Sequence, residues 1–329
     1  MNTVISFITV ISLIFSLSCT ILDPNEPGNL VPKTVDENGS LPALAINGTN
    51  LHLKTFGNPA NPVIIFLHGG PGGDHKGLLR LKSLQDAYFL VFYDQRGTGL
   101  SRRHNKSEVS ISLLVRDLDS IVDHFSPGAP VTLVGHSWGG QLATVYVTKH
   151  PAKVQKLILM DPGPFNSKTI VMLNGLFEEM SLSASVINDM LCGQDFISPA
   201  GHIKLDYNMG ILVFAESNSM DGYNRSKTDR AGYWRLGTIA QSAILSEATN
   251  ANGDWDYDLR KGLSYPNTVL FMWAGNNTIM GADYRRAQQA YYSSKQAITI
   301  PNVGHDFPWI SHGRVDAEIR TYLAKPSIY

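Results

Sequence analysis

The chain has 329 residues, of which 43% are hydrophobic and 17% are charged, so it can bury a large core and is not intrinsically disordered. Its 27 basic and 28 acidic side chains give a formal net charge of −1, which provides neither the basic field that nucleic acid requires nor a polyanionic surface. Because it has only two cysteines, Cys19 and Cys192, a disulfide scaffold and a cysteine-rich metal site are both excluded.

The first residues have the pattern of an export signal. Residues 4–17 are an uninterrupted run of apolar and hydroxyl side chains, shorter than the ~20 residues of a membrane span. Ser18 then precedes Cys19, as a small residue does at the cleavage and lipidation site of bacterial lipoproteins. We predict a signal peptide over residues 1–19, lipidation of Cys19, a linker over 20–40, and export to a membrane of the bacterial cell envelope. A plain secretory signal and an uncleaved anchor are the alternatives.

From residue 41 onward, short apolar runs alternate with helical patterns, which is typical of a largely parallel sheet covered on both faces. Residues 51–57 alternate with period two and predict an early antiparallel strand. Residues 111–125 place their apolar side chains on one helical face, and further helices are predicted near 282–293 and from about 313. Near-continuous apolar runs predict the remaining, buried strands, at residues 63–68, 88–94, 130–137, 156–163, 268–275 and 297–305.

The middle of the chain has a different character. From about residue 163 to 262, helical patterns rich in Met, Ser and Asn occur without strong strand signals. We therefore predict one α/β core over residues 41–162 and 263–329, interrupted after the sixth strand by a helical cap over residues 163–262.

Residues 135–139 read Gly-His-Ser-Trp-Gly and fit the pattern G-x-S-x-G, directly after a predicted strand and before a predicted helix. In that context the central residue occupies a strained turn, and Gly135 and Gly139 provide the space that the turn needs. The turn lifts the Ser137 hydroxyl above the sheet edge, near a helix amino end that favours negative charge. Ser137 is therefore the predicted nucleophile.

A glycine-rich loop, His-Gly-Gly-Pro-Gly-Gly at residues 68–73, follows another predicted strand. Glycines allow backbone N–H groups to approach an oxyanion closely, and no Lys-Ser/Thr pair follows at the spacing of a phosphate loop. The predicted oxyanion donors are the N–H groups of Gly70 and of Trp138, the residue after the nucleophile. In the loop after the next strand, Asp94 and Arg96 are predicted to fix the loop through charge-assisted hydrogen bonds.

Three segments, HGGPGG (68–73), DQRGTGLS (94–101) and GHSWGG (135–140), together resemble the α/β-hydrolase superfamily and, more narrowly, its proline iminopeptidase group of serine peptidases. The resemblance covers the core, about residues 45–162 and 263–325. It implies an α/β-hydrolase fold and a serine hydrolase that forms an acyl-enzyme, most simply an aminopeptidase on short peptides or amino-acid amides. A carboxylesterase or C–C bond hydrolase on small substrates is the alternative. The resemblance implies no cofactor and no metal.

The resemblance also implies a general base and an acid. His305, after the last predicted strand, lies where the family carries its base. The acid should follow strand 268–275, but Asn277 occupies that position, and an amide there lowers kcat by about 10⁴ in a serine protease. Asp161, at the end of the preceding strand, is the alternative acid, because some α/β-hydrolases place it there. If neither position supplies an acid, the protein is a weak hydrolase or a non-catalytic binding lipoprotein.

The cap should determine which substrate binds. Proline iminopeptidases hold the substrate ammonium with cap carboxylates, because a cation in a dry pocket needs a counter-charge. Glu216 is the candidate for that role, and Arg235 is a candidate for holding a substrate carboxylate. The alternatives are a solvated helix charge for Glu216 and stacking on an aromatic ring for Arg235.

Overall fold

The computed structural model of the chain describes residues 31–173, 201–216 and 233–326. Its centre is an eight-stranded sheet in the order β1-β2-β4-β3-β5-β6-β7-β8. Strands β1 and β2 pair antiparallel, as do β2 and β4, and the pairings from β4 to β8 are parallel. The predicted α/β fold with a mostly parallel sheet is therefore confirmed. The strands are β1 Ala43–Ile46, β2 Thr49–Phe56, β3 Val63–Leu67, β4 Phe89–Tyr93, β5 Val131–His136, β6 Val154–Met160, β7 Val269–Ala274 and β8 Lys295–Ile300.

Helices flank the sheet, and three described helices lie in the sequence between β6 and β7. The predicted helix over residues 111–125 is confirmed with the same bounds. No helix in the described ranges is long and apolar enough to cross a bilayer. The described α-helices are α1 Ile111–Phe125, α2 Trp138–Lys149, α3 Ser167–Ile170, α4 Gly201–Glu216, α5 Thr238–Glu247, α6 Ala282–Gln289, α7 Phe307–Ile310 and α8 His312–Leu323, and the 3-10 segments are Gly77–Asp86, Lys106–Glu108 and Pro151–Lys153.

Two apolar layers lie on opposite faces of the sheet, because successive strand residues point to opposite sides. Ile65 and Leu133 face the layer that contains α1 and α2. Phe66 and Val134, their neighbours in sequence, face the layer that contains the 3-10 segment Gly77–Asp86 and α8. Strands β3, β4, β5 and β7 are buried along their whole length, as the near-continuous apolar runs predict.

Strand β1 was not among the predicted strands, although the sequence carries a signal for it. Asn47 and Gly48 join β1 to β2 with φ angles of 45° and 74°, the two positive values of a tight hairpin turn. An Asn-Gly pair favours that turn because both residues tolerate positive φ. The hairpin adds an antiparallel edge to the parallel sheet.

Residues 31–40, the described part of the predicted linker, pack against the core and against α4. Val35 is buried, and its N–H donates to the carbonyl of Leu100 at 2.8 Å. Val31 packs against Ile203 and Tyr207 of α4. Residues 31–40 therefore connect the core to α4. The predicted signal peptide and Cys19 lie outside the described residues.

Candidate active site

Ser137 lies in a sharp turn between β5 and α2, at the carboxyl edge of the parallel strands. Its φ of 55° and ψ of −120° are strained values for a residue with a side chain. A Cβ on Gly135 would lie 2.5 Å from the carbonyl oxygen of Gly139, and one on Gly139 would lie 2.0 Å from that of Leu67. Glycine at both positions is therefore a steric requirement of the turn, as the sequence pattern indicates.

Hydrogen bonds to the neighbouring strand fix the backbone of this turn. The N–H of Ser137 donates to Met160 O at 3.0 Å, and Ser137 O accepts from Gly163 N at 3.1 Å. Both partners come from the end of β6 or just beyond it. Ser137 is 8% exposed, so its hydroxyl lies in a largely enclosed place.

His305 lies beside the Ser137 turn and contacts a buried carboxylate. Its Nδ1 is 3.2 Å from Oδ2 of Asp161, which is fully buried. His136, next to the nucleophile, donates from Nε2 to His305 O at 2.9 Å, and the two rings are 4.6 Å apart. Burial, and then nearby His305, lowers the pKa of His136 to about 3, so this ring is neutral and serves as a support. The structure thus places the His305–Asp161 pair beside the turn of Ser137, and Ser137, Asp161 and His305 follow one another along the chain in the order expected for this fold.

Asp161 is held as an ionised group by several donors. Its Oδ1 accepts from Ala274 N at 2.9 Å, and its Oδ2 accepts from Asn277 Nδ2 at 2.9 Å. Burial raises the pKa of Asp161, but the hydrogen bond and charge of His305, helped by Asn277 and Ala274, outweigh it and leave the pKa below its ordinary value. An ionised Asp161 can stabilise an imidazolium on His305 during proton transfer.

Asn277 occupies the usual acid position, in the loop after β7, and makes a hydrogen bond to Asp161. Its Nδ2 donates to Asp161, and its Oδ1 accepts from Met280 N at 3.1 Å. Arg285 fixes the same loop by donating to the carbonyls of Ala274 at 2.7 Å and of Asn277 at 3.0 Å. The carboxylate that contacts His305 therefore belongs to Asp161, which the sequence offers as the alternative acid, and Asn277 donates to it.

The glycine loop approaches the nucleophile closely. A Cβ on Gly69 would lie 3.0 Å from the Cβ of Ser137, so a side chain there would crowd the serine. Gly70 has a φ of 130°, and a Cβ there would lie 2.5 Å from Gly72 N. Trp138 is the first residue of α2, where N–H groups have no partner within the helix. The two predicted oxyanion donors therefore lie on segments that flank Ser137.

Gln95, which the sequence did not single out, joins those two segments. Its Nε2 donates to His68 O at 3.0 Å, and its Oε1 accepts from Trp138 Nε1 at 2.9 Å. Its own N–H donates to His68 Nε2 at 3.0 Å, which leaves Nδ1 of that ring to donate to Gly69 O at 2.9 Å. Burial lowers the pKa of His68 to about 4, in keeping with a neutral ring. Gln95 thus links the glycine loop at His68 to the start of α2 at Trp138.

Asp94, in the loop after β4, meets His52 of β2 and His75 of the glycine-rich segment in a cluster with metal-ligand chemistry. Asp94 Oδ1 accepts from His75 N at 2.9 Å and His75 Nδ1 at 2.7 Å, and Asp94 Oδ2 accepts from His52 Nδ1 at 2.7 Å and Leu100 N at 2.8 Å. These three side chains are the one group of metal-ligating types that converges among the described residues. The 2.7 Å contacts are hydrogen bonds, too short for an ion between the atoms. The cluster is therefore a hydrogen-bonded support of the loop.

Arg96 fixes the other side of the same loop. Its Nε and one terminal nitrogen donate to the two oxygens of Asp117 at 2.8 and 2.9 Å, in a buried bidentate pair. The same nitrogen donates to Asn47 O at 2.9 Å in the β1–β2 turn. The predicted loop-fixing roles of Asp94 and Arg96 are confirmed.

Comparison with known proteins agrees with this geometry. A family model described as the alpha/beta hydrolase fold matches residues 62–311. The chain belongs to the α/β-hydrolase family. It is 36% identical over 119 residues to a putative proline iminopeptidase of Mycoplasma pneumoniae, covering 34% of this chain and 37% of that protein. It is 31% identical over 173 residues to the proline iminopeptidase PfmaB of Pestalotiopsis fici, covering 52% of this chain and 60% of that protein.

The similarity to solved structures extends over most of this α/β hydrolase. The structure of a proline iminopeptidase from Mycobacterium smegmatis matches with a TM-score of 0.60 at 16% identity, covering 86% of this chain and 97% of that one. At that identity the match establishes the fold. The chain spans less than two thirds of the length of both curated relatives in sequence alignment.

Of the two candidate substrate-binding residues in this hydrolase, Arg235 is engaged elsewhere. Its side chain is 1% exposed, and it donates to Asp206 at 2.8 Å, Glu37 at 3.1 Å and Pro32 O at 2.9 Å. Arg235 therefore joins α4 to the amino-terminal segment, a structural role that offers no group to a substrate carboxylate. Glu216 is the last residue of α4, and its side chain lies outside the described residues.

Proposed function

We propose that this α/β hydrolase is a serine hydrolase that works through an acyl-enzyme, and that it is an aminopeptidase on short peptides or amino-acid amides. The observation that carries the proposal is the contact of 3.2 Å between His305 Nδ1 and Asp161 Oδ2, beside the strained turn of Ser137. A nucleophile, a base and an acid are the groups that this kind of acyl transfer requires.

In the proposed reaction, Ser137 Oγ attacks the substrate carbonyl carbon while His305 Nε2 takes the hydroxyl proton. The carbonyl oxygen becomes an oxyanion and accepts hydrogen bonds from the N–H groups of Gly70 and Trp138. The bond to the leaving amine breaks as His305 returns its proton to that nitrogen. Water then attacks the acyl carbon while His305 takes a proton from it. The bond from the acyl carbon to Ser137 Oγ breaks as His305 returns that proton to Oγ, which releases the carboxylic acid product. Asp161 stays ionised and stabilises the imidazolium in both halves of the cycle.

The peptidase assignment rests on the three motif segments and on relatives named as proline iminopeptidases. The test compares prolyl and alanyl p-nitroanilides with p-nitrophenyl acetate and butyrate, using wild-type protein and a Ser137→Ala control. We expect amide turnover that the control lacks. Turnover of esters alone would make the protein a carboxylesterase. Folded wild-type protein that turns over no substrate and binds amino-terminal amides would be a binding protein on a hydrolase scaffold.

We further propose that the protein is exported and held at a membrane by a lipid on Cys19. The support is the apolar run at residues 4–17 followed by the small residue and cysteine at 18–19. Metabolic labelling with an alkyne fatty acid in a bacterial host should mark the wild-type chain, and Cys19→Ala should abolish the mark. Equal labelling of the two, or a secreted unlabelled wild-type chain, would contradict the anchor.

A further inference from the structure

Residues 233–237, within the predicted cap and just before α5, lie directly on the glycine loop. We call these the return segment and residues 68–76 the oxyanion loop. Gly237 N donates to Gly72 O at 2.7 Å. A Cβ on Gly72 would lie 3.0 Å from Gly237 O, and one on Gly73 would lie 2.9 Å from the Tyr233 ring. The two segments are therefore in backbone contact, with no room for a side chain at Gly72 or Gly73.

One buried carboxylate, Asp74, connects the two segments. Its Oδ2 accepts from the N–H groups of Trp234 at 2.5 Å and Arg235 at 3.0 Å, both in the return segment. Its Oδ1 accepts from Lys76 N at 2.9 Å within the oxyanion loop. Lys76 Nζ donates in turn to Tyr233 O at 3.2 Å. Asp74 is buried, so these hydrogen bonds are shielded from competing water.

The far side of the return segment is anchored independently of Asp74. Asp206 of α4 accepts from Arg235 Nε at 2.8 Å through Oδ2 and from Thr238 N at 3.1 Å through Oδ1. Asp206 also accepts from Arg103 Nε at 2.9 Å. The return segment is thus fixed to α4 and to the core by charged side chains. Asp74 links the oxyanion loop to this fixed segment.

We propose that Asp74 is a positioning residue, which holds the Gly70 N–H in the geometry of the oxyanion by tying the oxyanion loop to the return segment. The proposal rests on the proposed function, because it needs an oxyanion to be stabilised. Gly70 lies four residues before Asp74, with Gly72 O bonded to the return segment between them. A loop released at Asp74 lets the donor drift, and misplacement of about 1 Å is enough to weaken catalysis strongly.

Two variants at this position separate orientation from folding. Asp74→Asn keeps a carbonyl oxygen for Trp234 and Arg235 but turns an amide nitrogen towards Lys76 N, whereas Asp74→Ala removes both acceptor oxygens and all three hydrogen bonds. At pH 8, with p-nitrophenyl acetate or the best amide, we expect kcat to fall about 10-fold for Asp74→Asn and about 100-fold for Asp74→Ala. The larger value is the effect of losing one oxyanion donor completely. KM should change less than threefold, because the ground-state carbonyl binds this donor weakly.

The matched control is Tyr322→Phe, which removes a buried hydroxyl that contacts Leu157 O and Thr268 O, away from the site. Hydrogen exchange should quicken over residues 68–76 and 233–241 in the Asp74 variants and stay unchanged there in the control. If Asp74→Asn folds and keeps wild-type kcat and wild-type exchange over the oxyanion loop, the proposal is wrong. If the loss appears in KM alone, Asp74 shapes the substrate site and does not position the donor. A wild-type chain without turnover refutes the proposed function itself.

Discussion

In the proposed triad Asp161 orients His305, and replacing its carboxylate tests that role. Asp161→Asn keeps the size of the side chain but removes the charge 3.2 Å from His305 Nδ1. At an effective dielectric constant of about 20, two unit charges at that distance interact by about 5 kcal/mol. A 10⁴-fold loss in kcat, the cost of an amide in a serine triad, corresponds to about 5.4 kcal/mol, so the charge interaction is large enough to account for it. We expect kcat to fall about 10⁴-fold.

The matched variant is Asn277→Ala, which removes one donor from Asp161 and leaves the charge in place. A hydrogen bond to a charged group contributes about 1.5–3 kcal/mol, so we expect kcat to fall about 10- to 100-fold. Both variants are assayed on the best substrate, with circular dichroism and urea unfolding as tests of the fold. If Asn277→Ala costs as much as Asp161→Asn or more, Asn277 orients the base and the assignment of Asp161 is refuted.

Three further changes test the supports of the site. Gln95→Leu removes both side-chain hydrogen bonds that join the oxyanion loop to α2, so kcat should fall about tenfold at constant KM, and an unchanged kcat contradicts that role. Gly139→Ala places a Cβ 2.0 Å from Leu67 O, so its urea midpoint should fall far below that of wild type, and equal midpoints contradict the packing. Burial, and then the Asp94 carboxylate, raises the pKa of Asp74 from 3.8 to about 7. Between those values the folded chain keeps a proton that the unfolded chain has released, so stability from this group falls as pH rises from about 4 to about 7. The urea midpoint of wild type should fall relative to that of Asp74→Asn over this range, and parallel profiles would contradict the shift.

Much of the core could be predicted because its signals are local. Strands β3, β4, β5 and β7 are near-continuous apolar runs, and α1 carries an amphipathic period with Ser110 as its amino-terminal cap. The strained turn at Ser137 could be predicted because the glycines that it requires, Gly135 and Gly139, lie within the same five residues of sequence. The loop roles of Asp94 and Arg96 follow from similarly local motifs.

The identity of the acid could not be settled from the sequence, because it depends on neighbouring strands. Asp161 and Asn277 follow adjacent parallel strands, β6 and β7, so both reach the same place above the sheet. Only the structure shows that the carboxylate faces His305. The role of Arg235 was equally hidden, because its partners Asp206 and Glu37 are 29 and 198 residues away.

The mass of the protein after reaction with a fluorophosphonate tests directly whether Ser137 is the nucleophile. We expect one covalent adduct per chain, located by peptide mapping on Ser137, and we expect none in His305→Ala or Ser137→Ala. Absence of an adduct from folded wild-type protein, or an adduct on another residue that survives Ser137→Ala, would contradict the assignment of Ser137 as the nucleophile.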